Sequence, residues 1–444
     1  MILSPDEAKK ILDKVFSLSK ADEAEANLNG GHSSHLRFAV NTVSTSGTSE
    51  NLALSMRSSF GKRSGTYTVN QLDDKTLETA VRKSEETAQL APEDPEFVSG
   101  LGPQKYETVN AFDGETSSVE PAFRAQAAAV SIGMSQEKNL ISAGFITDGA
   151  SFTAIENSKG LFGYHESTRA TYSSTARTKD GTGSGWVGRG YNKKSQIDAR
   201  SLFGIAAEKA LRSANPRSLD PGAYEVILEP TAVAEMLSSL TSSLDARNAD
   251  EGRSFFAKKG GGNKLGEKLF NENVTIYSDP SDDRVPGSPF GFGGIPQRKI
   301  AWIENGVVKN LIYSRYWAEK QGKEPIPPPP NVLMKGGDAT IEDLIKSVKR
   351  GVLVSSLWYI RSLDPQTLLL TGLTRDGNFY IENGEIKYAV KNFRWNESPA
   401  FVLANVVGMT RSNRIMGRES GNANVSAPAL LVKEFHFSSV SDAV

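Results

Sequence analysis

The chain switches repeatedly between two hydrophobic periods. In "SPDEAKKILDKVFSLSK", Ile11, Leu12, Val15 and Phe16 recur at the spacing of one helix face. Ser4 stands at the N-cap position, Pro5 at the first helical position and acids in the first turn, so an amphipathic helix is predicted. The stretch "HLRFAVNTVSTSGTSENLALSMRSSFGKRSGTYTV" reads as successive strands, with turns expected at Ser46-Gly47 and near Gly61. Residues 73–91 return to helical spacing: Leu77, Ala80, Val81, Ala88 and Leu90 lie mostly on one side, and Pro92 stops the run. Residues 120–136 read as another helix. "ISAGFITDGASFTAIENSKGLFGYHESTRATYSSTART" is strand-like, with a turn from Asn157 to Gly160, and a further helix over 198–216 ends at Asn215-Pro216.

The pattern restarts after "RSLDPGAY", the expected domain boundary. A strand from Tyr224 leads into a helix in which Val233, Met236, Leu237, Leu240 and Leu244 form a buried face. Thr231 is expected as its N-cap, and Glu235, the one acid inside it before Asp245, as an exposed side chain. Two pieces, "AWIENGVVKNLIYS" and "FYIENGEIKYAVKN", carry Asn-Gly between apolar runs, the signature of a tight hairpin. "EPIPPPPNVLMKGGD" is extended, "IEDLIKSVKRGVLV" is expected to be helical, and "SAPALLVKEFHFSSV" ends in a strand. The fold class is α+β: a mixed N-terminal domain of strands and helices (1–220), then a sheet-rich, barrel-like C-terminal domain (221–444). The regular strand-helix rhythm of a doubly wound fold is missing.

Composition narrows the function classes. The chain has 444 residues, 38% hydrophobic and 23% charged, which suits two soluble domains. With 51 basic and 52 acidic residues the net charge is -1, and the absence of a basic run argues against nucleic acid as the direct ligand. There is no cysteine, which removes disulfides, thiol nucleophiles and thiolate metal sites. The first helix is not a signal peptide and no apolar run is long enough to span a membrane, so the cytoplasm is the expected location.

Few residues stand out for chemistry. His32 and His35 in "GGHSSH" are expected on a loop or edge strand, where a spacing of three puts them on opposite faces and off a common metal. His165 and His436 are isolated strand histidines. "DGTGSGWVGRG" (180–190) lacks a helix placed to cradle phosphate and is expected to be a flexible loop. It mimics a Gly-x-Ser-x-Gly elbow in spelling but not in context. A dyad of carboxylates distant in sequence stays open.

The order of several segments resembles the TldD/PmbA family, the modulator of DNA gyrase proteins. The resemblance is carried by "SSFGKRSGTYTVNQLDDKTLETAVRKSEETAQLAPEDPEF", "AIENSKGLFGYHESTRATYSSTARTKDGTGSGW", "WIENGVVKNLIYSRYWAEKQG" before the proline-rich stretch, and "LLLTGLTRDGNFYIENGEIKYAVKNFRWNESP". It implies a metallopeptidase-like architecture. The TldD branch is a zinc peptidase with a His-Glu-x-x-x-His helix and a later cysteine ligand. Following the resemblance, these positions fall near Met236, Thr241 and Met416 in this chain, and thioether and hydroxyl groups are poor zinc ligands. That pattern resembles the PmbA or TldE branch. It implies a subunit with no catalytic residue and no cofactor of its own, zinc belonging to a TldD-like partner, the two chains closing a chamber for peptides. Thr374, Arg375, Gly377 and Asn378 are expected to form part of its wall, with peptide held by backbone pairing.

Two other readings stay open. One is a self-sufficient hydrolase, a homodimer using a site around Glu235, Glu251 or the His32/His35 pair. The other is a binding protein that regulates gyrase directly, which only the family's historical name suggests.

Overall fold

Four long strands, Glu23–Ala39, Thr42–Phe60, Leu140–Asn157 and Phe162–Thr178, make the N-terminal sheet. Arg63–Val69 and Ser184–Tyr191 complete it as an antiparallel sheet of six strands. The structure, a computed structural model, describes residues 2–441. Alternation along the strands sends Leu28, Leu36, Phe38, Phe152 and Tyr172 to one face, where four helices cover them. Pro5–Leu18 and Asp74–Leu90 cover one end, Pro121–Glu137 and Ala199–Arg212 the other. Ser4 caps the first helix in a capping box with Glu7, as the sequence signals.

Three expectations are corrected here. The hairpin turn falls at Val40–Asn41, with φ of 52° and 56°, and Ser46-Gly47 lies inside a strand, because the ladder to Glu23–Ala39 continues past it, with one bulge at Arg37/Phe38, to the turn. His32 and His35 sit in a central strand paired on both sides, not on a loop or an edge. The glycines before them allow that pairing: a Cβ at Gly31 would stand 2.3 Å from the Ala150 carbonyl. The glycine-rich segment is likewise a strand, Ser184–Tyr191. Its glycines let the helix Ala199–Arg212 approach, since a Cβ at Gly185 would lie 2.1 Å from the Ala206 carbonyl.

This contact yields a prediction. Gly185→Val is expected to lower the unfolding free energy by roughly 2–3 kcal/mol or more. Gly204→Ala, in the facing helix with open space around it, is expected to raise it by about 0.5–1 kcal/mol. Urea denaturation of the two variants checks both signs.

The C-terminal half closes a small barrel. The strands Arg350–Asp364, Gly222–Leu228, Leu430–Ser441, Asn392–Glu397 and Leu369–Glu382 neighbour one another in that order, and the last pairs back to the first. Phe393, Trp395, Phe435 and Phe437 pack in its interior, Phe393 stacked on Phe437 and the other rings tilted. A second sheet of six short strands packs alongside, from Val307–Val308 at one edge to Asn413–Ile415 at the other. Both Asn-Gly pairs are hairpin turns with positive φ at each residue: 50° and 78° at Asn305-Gly306, 53° and 77° at Asn383-Gly384. The helix expected from residue 341 stops at Ser347, and the β-branched run after it belongs to the barrel strand Arg350–Asp364. The helix expected over 198–216 ends at Arg212. Among the described residues no helix is long and apolar enough to cross a membrane.

Candidate functional site

The helix Pro230–Ser242 leaves the barrel directly after the strand Gly222–Leu228. Its N-cap is Glu229, with Pro230 at the first helical position, rather than Thr231. Glu229 is anchored by an ion pair with Lys209 of the N-terminal half. Met236, Leu237 and Leu240 enter the barrel-side core as the periodicity requires.

Glu235 is buried at 4% exposure, not exposed as its helical position suggests. Its carboxylate accepts hydrogen bonds from the backbone N–H of Glu419 at 2.8 Å and of Ser420 at 3.2 Å. Burial pushes its pKa up, and these hydrogen bonds act against that rise. Gly417 is needed beside it: a Cβ there would come within 2.6 Å of Oε1.

The loop that caps Glu235, residues 416–424, is pinned at every few positions. Met416 packs on Trp186 and Ala423, so it bridges the two halves. The Arg418 guanidinium lies 5.0 Å from the ring centres of both Trp186 and Trp358, and its Nε donates to Asp376 at 2.7 Å. The Glu419 carboxylate accepts from the Ile360 N–H at 2.8 Å and pairs with Arg361. The carbonyls of Gly421 and Ala423 accept from Arg169 and Arg414.

Of the positions singled out by the resemblance, Met236 packs in the large C-terminal core and Met416 in a separate small cluster across the domain interface. The Thr241 hydroxyl donates to the carbonyl of Leu237, one turn back in its own helix. Among the described residues no group of three or more His, Asp or Glu is placed to hold a metal.

Of the expected peptide-wall residues, Arg375, Gly377 and Asn378 line one cavity of about 560 Å³ between the halves. The Thr374 hydroxyl instead accepts the Phe393 N–H inside the barrel wall. Asp376 and Gly377, with φ of 61° and 113°, form a bulge opposite Ser355. The bulge turns Asp376 toward Ser184, which donates to it at 2.9 Å, and toward Arg418. Asp376, Arg418, Trp186 and Trp358 escaped sequence reasoning; only the Asp-Gly pair signalled a break in the strand.

The histidines are dispersed. His32 bonds the Ser117 carbonyl at 3.0 Å, and His35 packs against Phe145. Glu251 is exposed and pairs with Arg247 and Arg253. His436 lies between Glu397 at 2.9 Å and Glu434 at 3.0 Å; the hydrogen bond to Glu397 raises its pKa. His165 lines a different cavity, and burial pushes its pKa down to about 4. A histidine held neutral in the fold stabilises it fully above the unfolded pKa of about 6.5. That contribution is lost as pH falls from there through 4. Wild type is therefore expected to lose roughly 1–2 kcal/mol more than His165→Gln between pH 7 and pH 4, after allowance for water in the cavity. Parallel thermal melts at the two pH values measure it.

A five-stranded barrel followed by a buried helix, beside a helix-covered six-stranded sheet, defines a two-part α+β architecture. Residues 105–215 match the PmbA/TldA metallopeptidase central domain and residues 221–439 its C-terminal domain, so the chain belongs to the PmbA/TldD family. It is 27% identical over 305 residues to a metalloprotease of Methanothermobacter thermautotrophicus, a match covering 63% of this chain and 64% of that one. It is 24% identical over 209 residues to the metalloprotease TldD homolog of Buchnera aphidicola, covering 43% of this chain and 40% of that one. The chain thus spans less than two thirds of the length of these curated relatives. Among solved structures, TldE from Thermococcus kodakarensis superposes with a TM-score of 0.87 at 20% identity, over 97% of this chain and 99% of that one. A protein from Thermotoga maritima described as a modulator of DNA gyrase gives 0.86 at 18% identity, over 97% and 100%.

Proposed function

We propose that this chain is the non-catalytic, metal-free subunit of a TldD/TldE-type zinc peptidase. It pairs in the cytoplasm with a TldD-like subunit that supplies the zinc, and the two enclose a chamber for unfolded peptides. What supports this reading is the donor chemistry of the helix Pro230–Ser242 and its capping loop. The Met236 thioether is committed to the core, the Thr241 hydroxyl to its own helix and the Glu235 carboxylate to two peptide N–H groups. Zinc takes imidazole, thiolate or carboxylate; the thioether and the hydroxyl do not fit it, and Glu235, with Oε1 held by the two N–H groups, is the one carboxylate in the helix. The cavity beside the Asp376-Gly377 bulge is the proposed wall for peptide, with Arg375, Gly377 and Asn378 at its edge.

Mixing the purified chain with a TldD-like chain carrying His-Glu-x-x-x-His tests the reading. Co-elution in size-exclusion chromatography, with cleavage of an unfolded protein by the mixture and none by this chain alone, is the expected result. Cleavage by this chain alone would contradict it.

A further inference from the structure

The sheet face opposite the helices carries a cavity unrelated to the Glu235 cradle in chemistry. Ser151, Thr153, His165, Ser167 and Arg169 line it from two adjacent strands, and Phe290, Phe292 and Arg414 close it from the C-terminal half. Its volume of about 540 Å³ is in the range of small-ligand sites.

Two guanidinium groups line this cavity, and among the described residues none of its lining side chains is acidic. Arg169 makes one hydrogen bond, from Nη2 to the Gly421 carbonyl at 3.3 Å. Arg414 donates from Nε to the Ala423 carbonyl at 3.1 Å. Its Nη1 donates to Asn192 Oδ1 at 2.8 Å and to the Arg284 carbonyl at 3.1 Å. All these acceptors are neutral. Neither arginine pairs with a carboxylate among the described residues, and Arg169 is exposed, so its remaining N–H groups face the cavity mouth and solvent. Desolvation lowers the Arg414 pKa to about 10, with the Arg169 charge adding to the depression. Two like charges are held near each other without a counter-charge, and His165, kept neutral, adds none.

We propose that this cavity binds the C-terminal carboxylate of a peptide, with Arg169 and Arg414 as its two donors. Planar, forked guanidinium groups match a carboxylate's two oxygens. The Phe290 and Phe292 rings and neighbouring prolines offer an apolar bed for the adjoining residue. The inference rests on the peptide reading above and adds to it a preference for chain ends. The loop that caps Glu235 also supplies the Gly421 and Ala423 carbonyls that hold the arginines, so the two features share one support.

The test uses the full chain and a fluorescein-labelled Ala-Ala-Phe tripeptide, as the free acid and as the C-terminal amide, with binding read by anisotropy. The acid is expected to bind about tenfold more tightly than the amide, the equivalent of about 1.4 kcal/mol. Arg169→Gln and Arg414→Gln are each expected to abolish the difference, and Arg169→Lys, which keeps the charge but not the fork, to retain part of it. Equal affinity for acid and amide in the wild type would overturn the carboxylate site and leave the subunit reading standing, because that is tested by complex formation. Binding of neither form would overturn it as well. Displacement of the acid by inorganic phosphate at far lower concentration than by acetate would reassign the cavity to phosphate and likewise overturn it.

Discussion

Trp395→Ala is expected to remove about 3–5 kcal/mol of stability, the range for deleting a large buried aromatic side chain. Trp395 is fully buried in the barrel, tilted against Phe435, and shares one core with Met236 and Leu237 of the helix Pro230–Ser242. The fold makes space for the indole with a glycine: a Cβ at Gly372 would stand 2.6 Å from it. The indole Nε1 has no hydrogen-bond partner among the described residues. Trp395→Phe is therefore expected to cost much less than alanine, because it keeps the ring packing and deletes an unsatisfied donor. Chemical denaturation of both variants decides it. Equal losses would show that the cavity term is not what holds the barrel to its helix.

The second large effect belongs to the N-terminal half. Arg124 and Asp148 form an ion pair with side chains only 6% and 3% exposed. Burial raises the Asp148 pKa despite the opposing pull of Arg124. Removing the cation strands the carboxyl, so Arg124→Ala is expected to cost about 3–5 kcal/mol at neutral pH. A carboxyl whose folded pKa lies above its unfolded value is destabilising wherever the unfolded chain is ionised. The loss in Arg124→Ala should accordingly shrink as pH falls below about 4. The double replacement Arg124→Met with Asp148→Leu is expected to recover most of the stability, since apolar packing removes both desolvation costs. Thermal or urea unfolding of the single and double variants forms the cycle, and an additive result would contradict this coupling.

What the sequence disclosed follows the range of the forces involved. Helices with local caps, such as Ser4 with Glu7, and hairpins at Asn-Gly were legible because their determinants are neighbours in the chain. The α+β class and the barrel-like second half followed from strand density. The burial of Glu235 was not legible, because its partner Glu419 lies 184 positions away and the helix's own period marks that site as solvent-facing. The glycines at 31 and 185 were read as loop signals, whereas each serves a close approach to another element. The arginine cavity was invisible for the same reason: Arg169 meets the Gly421 carbonyl across 252 positions. Of the residues expected to form a peptide wall, three line one cavity and Thr374 belongs to the barrel, a split fixed by the Asp376-Gly377 bulge.

The subunit reading is tested most directly by zinc content. The purified chain is incubated with excess zinc, dialysed without chelator and assayed by plasma mass spectrometry beside a TldD-like chain carrying His-Glu-x-x-x-His. The TldD-like chain should retain about one zinc per chain and this chain almost none. Retention of one zinc per chain here, abolished by replacing Glu235, would place a metal centre on this subunit and contradict the reading.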